Sequence, residues 1–419
     1  MTNNPHVFNS VCVVGLGYIG LPTAAFIASK GVKVTGVDVN QQFVDSINRG
    51  EVPFVEPGFD QLLRDVVEKG LLVAQAEQVP ADAYIVCVPT PFKGSNHEVD
   101  TKYIASAIDA MAPHLRAGAL VVLESTSPPG TTEWMANYII EKRPDLSLEE
   151  GTENAIYIAH CPERVLPGQI MEEMESNDRV IGGLTPRGTE MARDLYATFC
   201  TAELLTTNAT TAEMAKLTEN SFRDVNIAFA NELSLICDKL GIDVWELIEL
   251  ANHHPRVNIL NPGPGVGGHC IAVDPWFIVS SVPDEAKIIR LARETNDGKP
   301  DFVLAKAAEA IKEKPGASIA ALGLAFKADI DDLRESPALQ IVQKLATTHP
   351  ETTVLAVEPN IDVLPQALAD QENVQLTQLD NALEDAEIIL LLVDHTEFKE
   401  VSSETLQGKY IIDTRGVWR

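Results

Sequence analysis

The stretch Asn261–Pro275, NPGPGVGGHCIAVDP, holds the residues best suited to covalent chemistry. Its glycines and prolines make tight, side-chain-poor turns that let a ligand approach the main chain closely. Gly267 lies in that loop, and Cys270 falls where the glycines stop and the apolar run IAVDPWFIV begins. A helix over this run would put the thiol at its N-terminus, where the positive end of the dipole favours thiolate. Asp274 would then lie one turn on, on the same face. A thiolate beside a carboxylate suits nucleophilic attack with proton transfer close by. The competing reading is a glycine-rich turn followed by a small, inert, buried cysteine.

A second cluster opens the chain. The apolar run SVCVV leads into Gly15-Leu16-Gly17-Tyr18-Ile19-Gly20, a small-residue helix, a turn at Gly31 and a second strand ending at Asp38. In such a unit the first glycine makes the turn, the second admits a pyrophosphate and the third allows helix–strand packing, with the helix N-terminus facing the phosphates. Asp38 sits where a carboxylate grips a ribose 2′-hydroxyl, which favours NAD over NADP.

Further strands follow at α/β spacing, and Thr90, Ser125, Thr126 and Glu163 stand at their polar ends. Open parallel sheets present ligand contacts there, although each residue alone could equally cap a helix. From Thr210 to Leu240 the sequence predicts one long helix, closed by Gly241. Its apolar stripe runs through Met214, Leu217, Phe222, Val225, Phe229, Leu233 and Ile236. Lys216 and Asn220, four apart, share a face away from much of that stripe; a solvated polar face is the ordinary reading of such a pair. Leftover apolar residues on so long a helix suit a subunit interface.

Beyond EKPGAS, four strands (SIAALGLAFK, TVLAVEP, EIILLLVDH and YIIDTRGVW) alternate with helical patterns, as in a second, smaller α/β domain. Lys327 and Arg334 follow the first of these strands and Arg415 the last. Basic residues gathered at one sheet edge suit an anionic ligand such as a nucleotide diphosphate; ordinary pairing with Asp329, Asp331 and Asp332 is the alternative. The expected architecture is α/β, two Rossmann-like doubly wound domains joined by a central long-helix domain. The expected domains are 1–207 for NAD, 208–312 for dimerisation and the cysteine loop, and 313–419 for the anionic nucleotide, which the resemblance given below makes a UDP-sugar.

Composition sets outer limits. The chain has 419 residues, 45% hydrophobic and 22% charged, which requires more than one core. A net charge of −29 argues against nucleic acid as a partner. No signal peptide or apolar run long enough to span a bilayer is evident. The six cysteines are scattered without CxxC pairs, which fits reduced thiols in a cytoplasm and no structural zinc.

Together the parts imply more than alcohol oxidation. An aldehyde can yield a second hydride once a thiolate adds to it, giving a thiohemiacetal, then a thioester that water cleaves. Lys216 and Asn220 are candidate donors to the oxyanion, and Asp274 and Glu163 candidate carboxylates for water and protons.

The motifs GLGYIGLP, VPTP, ESTSPPGTT, AKLTENSFRDVNIAFANE, GVGGHC, GLAFK…DDLRESP and DTRGVW run the length of the chain. By them it resembles the UDP-glucose/UDP-mannose dehydrogenase family. It is most similar to the bacterial members acting on UDP-N-acetyl-D-mannosamine, above all in VPTPFKG, CPERVLPGQ and GPGVGGHCIAVDPWFIV. The resemblance implies twofold NAD-dependent oxidation of a sugar C6 alcohol to a carboxylate, with Cys270 as nucleophile. It assigns Lys216 and Asn220 to the oxyanion and Asp274 and Glu163 to proton transfer and hydrolysis. Thr126 would lie near the nicotinamide or the water, and Arg334 near the cofactor, with Thr90 and Ser125 lining its site. Arg164, Gly267, Lys327 and Arg415 would face the sugar nucleotide. Arg256 would enter a neighbouring subunit's site, which implies a homodimer through the long helix. The product would resemble those used for surface polysaccharides such as enterobacterial common antigen. UDP-glucose enzymes carry a second glutamate four residues after the one matching Glu163; here Pro167 stands there, which tilts the sugar towards an N-acetylated hexosamine. UDP-glucose and UDP-N-acetylglucosamine are the alternative substrates.

Overall fold

The computed structural model describes residues 7–54, 56–94, 97–166, 168–268 and 270–418. Pro167 and His269 therefore lie outside the described residues. The chain forms two compact units, Met1–Thr218 and Glu219–Arg419.

In the first unit the strands are β1 (Ser10–Val14), β2 (Lys33–Val37), β3 (Leu72–Gln75), β4 (Ala83–Val86), a small hairpin of β5 (Phe92–Lys93) and β6 (Glu98–Val99), β7 (Leu120–Leu123), β8 (Tyr157–His160), β9 (Arg179–Gly183) and β10 (Leu204–Asn208). All but the hairpin join one sheet in the order β10-β9-β8-β7-β4-β1-β2-β3. The near-continuous apolar runs are what a sheet covered on both faces requires. Alternate residues serve opposite cores: Val11, Val13, Ile85, Leu120 and Val122 pack on one face, and Cys12, Val14, Val86, Val121 and Leu123 on the other. Each such aliphatic side chain contributes about 1.5–3 kcal/mol on burial. The sheet departs from an all-parallel expectation in one place, where β8 pairs antiparallel with β9. Among the described residues between them the chain forms only the short helix Ile170–Ser176 and returns to the edge it left. Continuing the register of Ala159 with Gly183 and His160 with Gly182 puts Glu163 opposite Arg179.

The long helix runs Ala209–Leu240, matching the expected 210–240. Gly241 ends it with φ +69°, and the Ile242 amide reaches back to the Cys237 carbonyl at 2.9 Å, as helix ends closed by glycine do. Which face is buried differs from the expectation. Phe222 is 69% exposed, and Phe229 and Ile236 are also exposed, while Asn220, Ser221, Asp224 and Asn231 are buried. The reason is a polar network with the helix Lys287–Glu313. The Arg293 guanidinium donates to Asp224 at 2.6 Å, Asn296 donates to the same carboxylate at 2.8 Å, and Asn231 donates to Asn296 at 2.8 Å. A buried charge persists only when so partnered.

The second unit also holds β11 (Ile319–Leu322), β12 (Val354–Val357), β13 (Val374–Leu376), β14 (Ile388–Leu391) and β15 (Tyr410–Asp413), a parallel sheet in the order β13-β12-β11-β14-β15. Four strands were expected; the fifth, β13, has three residues and too little pattern to announce itself.

Candidate active site

The helix after the cysteine loop begins at Asp274 and ends at Ser281. Cys270 thus lies in the turn before the helix and not at its first residue. Pro275 explains the late start, because proline is accommodated only in a helix's first turn. The Asp274 amide still bonds to the Cys270 carbonyl at 2.8 Å, so the two residues are one turn apart as expected. Cys270 is exposed. Asp274 is 4% exposed and its Oδ2 accepts from Asn220 Nδ2 at 2.5 Å. The long helix therefore delivers a buried amide to the carboxylate of Asp274, one turn from Cys270, and Asn220 is not part of a solvated face. Lys216, half-buried, lies one helical turn earlier at the end of the first unit.

The loop carrying Cys270 is held tightly within the second unit. The Gly263 amide donates to Asn231 Oδ1 at 2.9 Å, and the Gly268 amide to the Arg334 carbonyl at 3.2 Å. A Cβ on Gly267 would lie 2.6 Å from the Glu335 carbonyl oxygen, 2.7 Å from Phe326 Cβ and 2.8 Å from Pro337 Cδ. One on Gly263 would lie 2.6 Å from Arg415 Nη1. The segments bearing Lys327, Arg334 and Arg415 thus press directly on the cysteine loop. Lys327 is exposed, Arg334 pairs with Asp332 at 2.6 Å, and Arg415 pairs with Asp394 at 2.7 Å. Glu358, after β12, fixes the turn before Lys327 by accepting from the amides of Leu324 (2.7 Å) and Ala325 (2.9 Å) and meeting His395 Nε2 at 3.1 Å. Burial alone would raise its pKa; His395 and those amides outweigh it and leave the carboxyl below its usual range. Arg256 is exposed in the same unit.

In the first unit the glycine turn has the shape that a dinucleotide requires. Gly15 has φ +95° and a Cβ there would lie 2.5 Å from the Cys87 carbonyl oxygen; a Cβ on Gly20 would lie 1.9 Å from the Gly15 oxygen. Around Gly17, by contrast, no described atom lies within 4 Å of a built Cβ, which leaves the backbone open to a pyrophosphate. Ile19 precedes the helix Gly20–Ser29. Asp38 accepts from the Leu16 and Asn40 amides, each at 2.8 Å, and stays half-exposed. The residues fit NAD. Tyr18 has a structural task as well, since its hydroxyl bonds to buried Glu56, which accepts from the Gly168 and Ile170 amides, each at 2.9 Å. Thr90 donates to the Thr126 carbonyl and Ser125 to the Val88 carbonyl, each at 2.6 Å, knitting neighbouring strand ends together. Arg164 donates to the Asp178 carbonyl at 2.8 Å.

Glu163 is 7% exposed. Its Oε1 accepts from the Arg164 and Val165 amides at 2.6 and 3.0 Å, and its Oε2 from Arg179 at 3.0 Å. Behind it lies a carboxylate that the sequence reading missed. Glu124, 2% exposed, accepts from Cys87 at 2.9 Å, Thr23 at 3.1 Å and Tyr196 at 3.2 Å, and its Oε1 stands 3.8 Å from Arg179. Burial, then the nearby Glu163, pushes its pKa up to about 7. No local sequence signal marks this cluster, because its members come from four strand ends and two helices.

A dinucleotide turn, a second Rossmann-like sheet and an exposed cysteine beside an amide-held carboxylate define a nicotinamide-dependent dehydrogenase. The chain belongs to the UDP-glucose/GDP-mannose dehydrogenase family, matching its NAD binding domain over residues 9–200, its central domain over 210–298 and its UDP binding domain over 320–419. It is an NAD-dependent UDP-sugar dehydrogenase. It is 59% identical to a UDP-N-acetyl-D-mannosamine dehydrogenase of Campylobacter jejuni, over 95% of this chain and 98% of that protein. It is 54% identical to an NDP-N-acetyl-D-galactosaminuronic acid dehydrogenase of Ralstonia nicotianae, over 98% of this chain and 96% of that one. Among solved structures, a UDP-D-ManNAc dehydrogenase from Pyrococcus horikoshii is 40% identical with a TM-score of 0.86, covering 98% of this chain and 96% of that one.

Proposed function

We propose that the protein oxidises C6 of UDP-N-acetyl-D-mannosamine to the carboxylate, consuming two NAD and one water through a thioester on Cys270. The observation that carries this reading is the Asn220–Asp274 bond of 2.5 Å one turn from Cys270, in a chain that also bears a dinucleotide turn. Bound NAD supplies the hydride acceptor for both oxidations. In the first, the C6 hydroxyl proton leaves to a carboxylate as the hydride departs, giving the aldehyde. The Cys270 thiolate then forms a C–S bond to C6, and Lys216 and Asn220 donate to the oxygen that becomes negative. Loss of the second hydride gives the thioester. Water, deprotonated by Asp274 or Glu163, attacks it, the C–S bond breaks and the thiol is restored. Lys327 and Arg415 hold the diphosphate, Gly267 and Arg164 border the sugar nucleotide, and Thr90, Ser125, Thr126 and Arg334 border the cofactor.

The mannosamine assignment rests on the Campylobacter relative's name; the Ralstonia relative favours a second 2-acetamido sugar at nearly equal identity. The test is NADH yield and initial rate with UDP-N-acetylmannosamine, UDP-N-acetylgalactosamine, UDP-N-acetylglucosamine and UDP-glucose. Two NADH per sugar, fastest with the first, is expected; preference for another sugar would reassign the substrate.

Three sequence segments, 1–207, 208–312 and 313–419, would divide this work between cofactor, thiol and nucleotide. A homodimer is part of the proposal. Phe222, Phe229 and Ile236, all exposed, are spaced by seven and form one apolar seam along the long helix. Arg256 would serve the partner's site. Among the described residues no helix is long and apolar enough to cross a membrane, and the six reduced cysteines suit a cytoplasmic enzyme whose product enters surface polysaccharide.

A further inference from the structure

The buried cluster behind Glu163 contains two carboxylates and one guanidinium. Arg179 Nη1 reaches Glu163 at 3.0 Å and Glu124 at 3.8 Å. The guanidinium is 2% exposed and also stacks over the rings of Tyr196 (5.1 Å) and Phe199 (5.2 Å), so it cannot swing out to solvent. With both carboxylates ionised the site would carry a net negative charge away from water; protonating Glu124 makes it neutral, which burial favours. The other titratable groups facing the pair, Cys87, Cys161 and Tyr196, are driven by burial towards their neutral forms, so they add no compensating charge.

The cluster also touches the cofactor turn. Cys87, whose thiol donates to Glu124, packs its carbonyl against Gly15 and its Cβ against Gly20, and Thr23 comes from the helix that follows that turn. A chain of bonded groups therefore runs from the dinucleotide turn through Cys87, Glu124 and Arg179 to Glu163.

We propose that Glu124 is a positioning residue: it shares Arg179 with Glu163, so its own charge decides how firmly the guanidinium holds Glu163 for thioester hydrolysis. This rests on the assignment of Glu163 to that step. With Glu124 neutral, Arg179 is left to Glu163; with Glu124 ionised, the two carboxylates divide it. No oxidant or further reactant is involved.

Glu124→Gln keeps the volume and removes the second charge. Glu163 then keeps Arg179 to itself at every pH, so the limb of the kcat–pH profile that follows Glu124 near neutral pH is lost. Glu124→Asp, which keeps the charge, leaves that limb near its wild-type position even where kcat falls. Infrared difference spectra across the same pH series read the proton directly: wild type shows a protonated-carboxyl band that fades near neutral pH, and Glu124→Gln lacks it. A merely structural role would lower kcat and the unfolding temperature without moving the limb or the band. An unmoved limb in folded Glu124→Gln, or a band that survives the substitution, overturns the proposal. Glu163→Gln tests the underlying assignment separately. If hydrolysis persists there at wild-type rate the assignment fails, while the infrared band still decides whether Glu124 carries a proton near neutral pH.

Discussion

Replacing Gly267 with alanine should slow turnover about 100-fold without unfolding the protein. The added methyl would meet the Glu335 carbonyl at 2.6 Å, Phe326 Cβ at 2.7 Å and Pro337 Cδ at 2.8 Å, where ordinary contact begins at 3.4 Å. None of the three is the free end of a flexible chain, so relief requires one backbone segment to move by about 0.8 Å. Overpacking of that kind costs about 1–3 kcal/mol of stability. Any shift of the cysteine loop carries with it Cys270, three residues on. A displacement near 1 Å at a reacting group costs about 100-fold in rate, or about 2.7 kcal/mol in the barrier. Three readings check the argument: kcat from NADH formation, the alkylation rate of Cys270 by iodoacetamide, and the unfolding temperature. Lower kcat with an altered alkylation rate and a modest fall in unfolding temperature is expected. Wild-type kcat and alkylation in Gly267→Ala would refute the idea that the loop's position is set by steric contact with residues 326–337.

Cys270→Ser should lower the yield of carboxylate by at least about 1000-fold, since a hydroxyl is a far poorer nucleophile than a thiolate; product analysis showing two NADH per sugar at wild-type rate would exclude the covalent route. Lys299, 5% exposed, has its pKa pushed down to about 8 by burial. Between about pH 8 and the unfolded value of 10.5 only the unfolded chain holds that proton, so stability should rise with pH across this window. Lys299→Met should lose that rise and gain about 1–2 kcal/mol at pH 7, read by urea unfolding at pH 7 and 10; a less stable variant at pH 7 would count against it. Phe229→Glu should convert dimer to monomer by light scattering, because a two-fold axis sets the new charges against each other; an intact dimer would remove the long helix from the interface.

Local pattern made much of this molecule legible. The glycine turn and Asp38 were readable because a dinucleotide unit compresses strand, turn, helix and acid into about 30 residues with fixed spacing. The long helix was readable from period and the terminal glycine. Its burial was not: Asp224 and Asn231 look like solvent residues until Arg293 and Asn296, some 65–72 positions away, arrive as partners. The same holds for Glu124 and Arg179, which meet only because β9 runs antiparallel to β8. Charged residues whose partners lie far along the chain leave no periodic trace. The start of the Asp274 helix differs from the expectation by three residues because the apolar run IAV looks helical, whereas Pro275 dictates where the helix can begin.

The fit of Gly263, Gly265 and Gly267 against Arg415, Pro337 and Phe326 bears on how such enzymes can be recombined. EKPGAS is the obvious crossover point between the helix Lys287–Glu313 and the last sheet. A chimera joined there would set one parent's cysteine loop against the other's nucleotide-side segment, across contacts too close for a single methyl group. Exchanges that alter sugar preference should therefore carry residues 261–275 and 323–337 together with the C-terminal sheet.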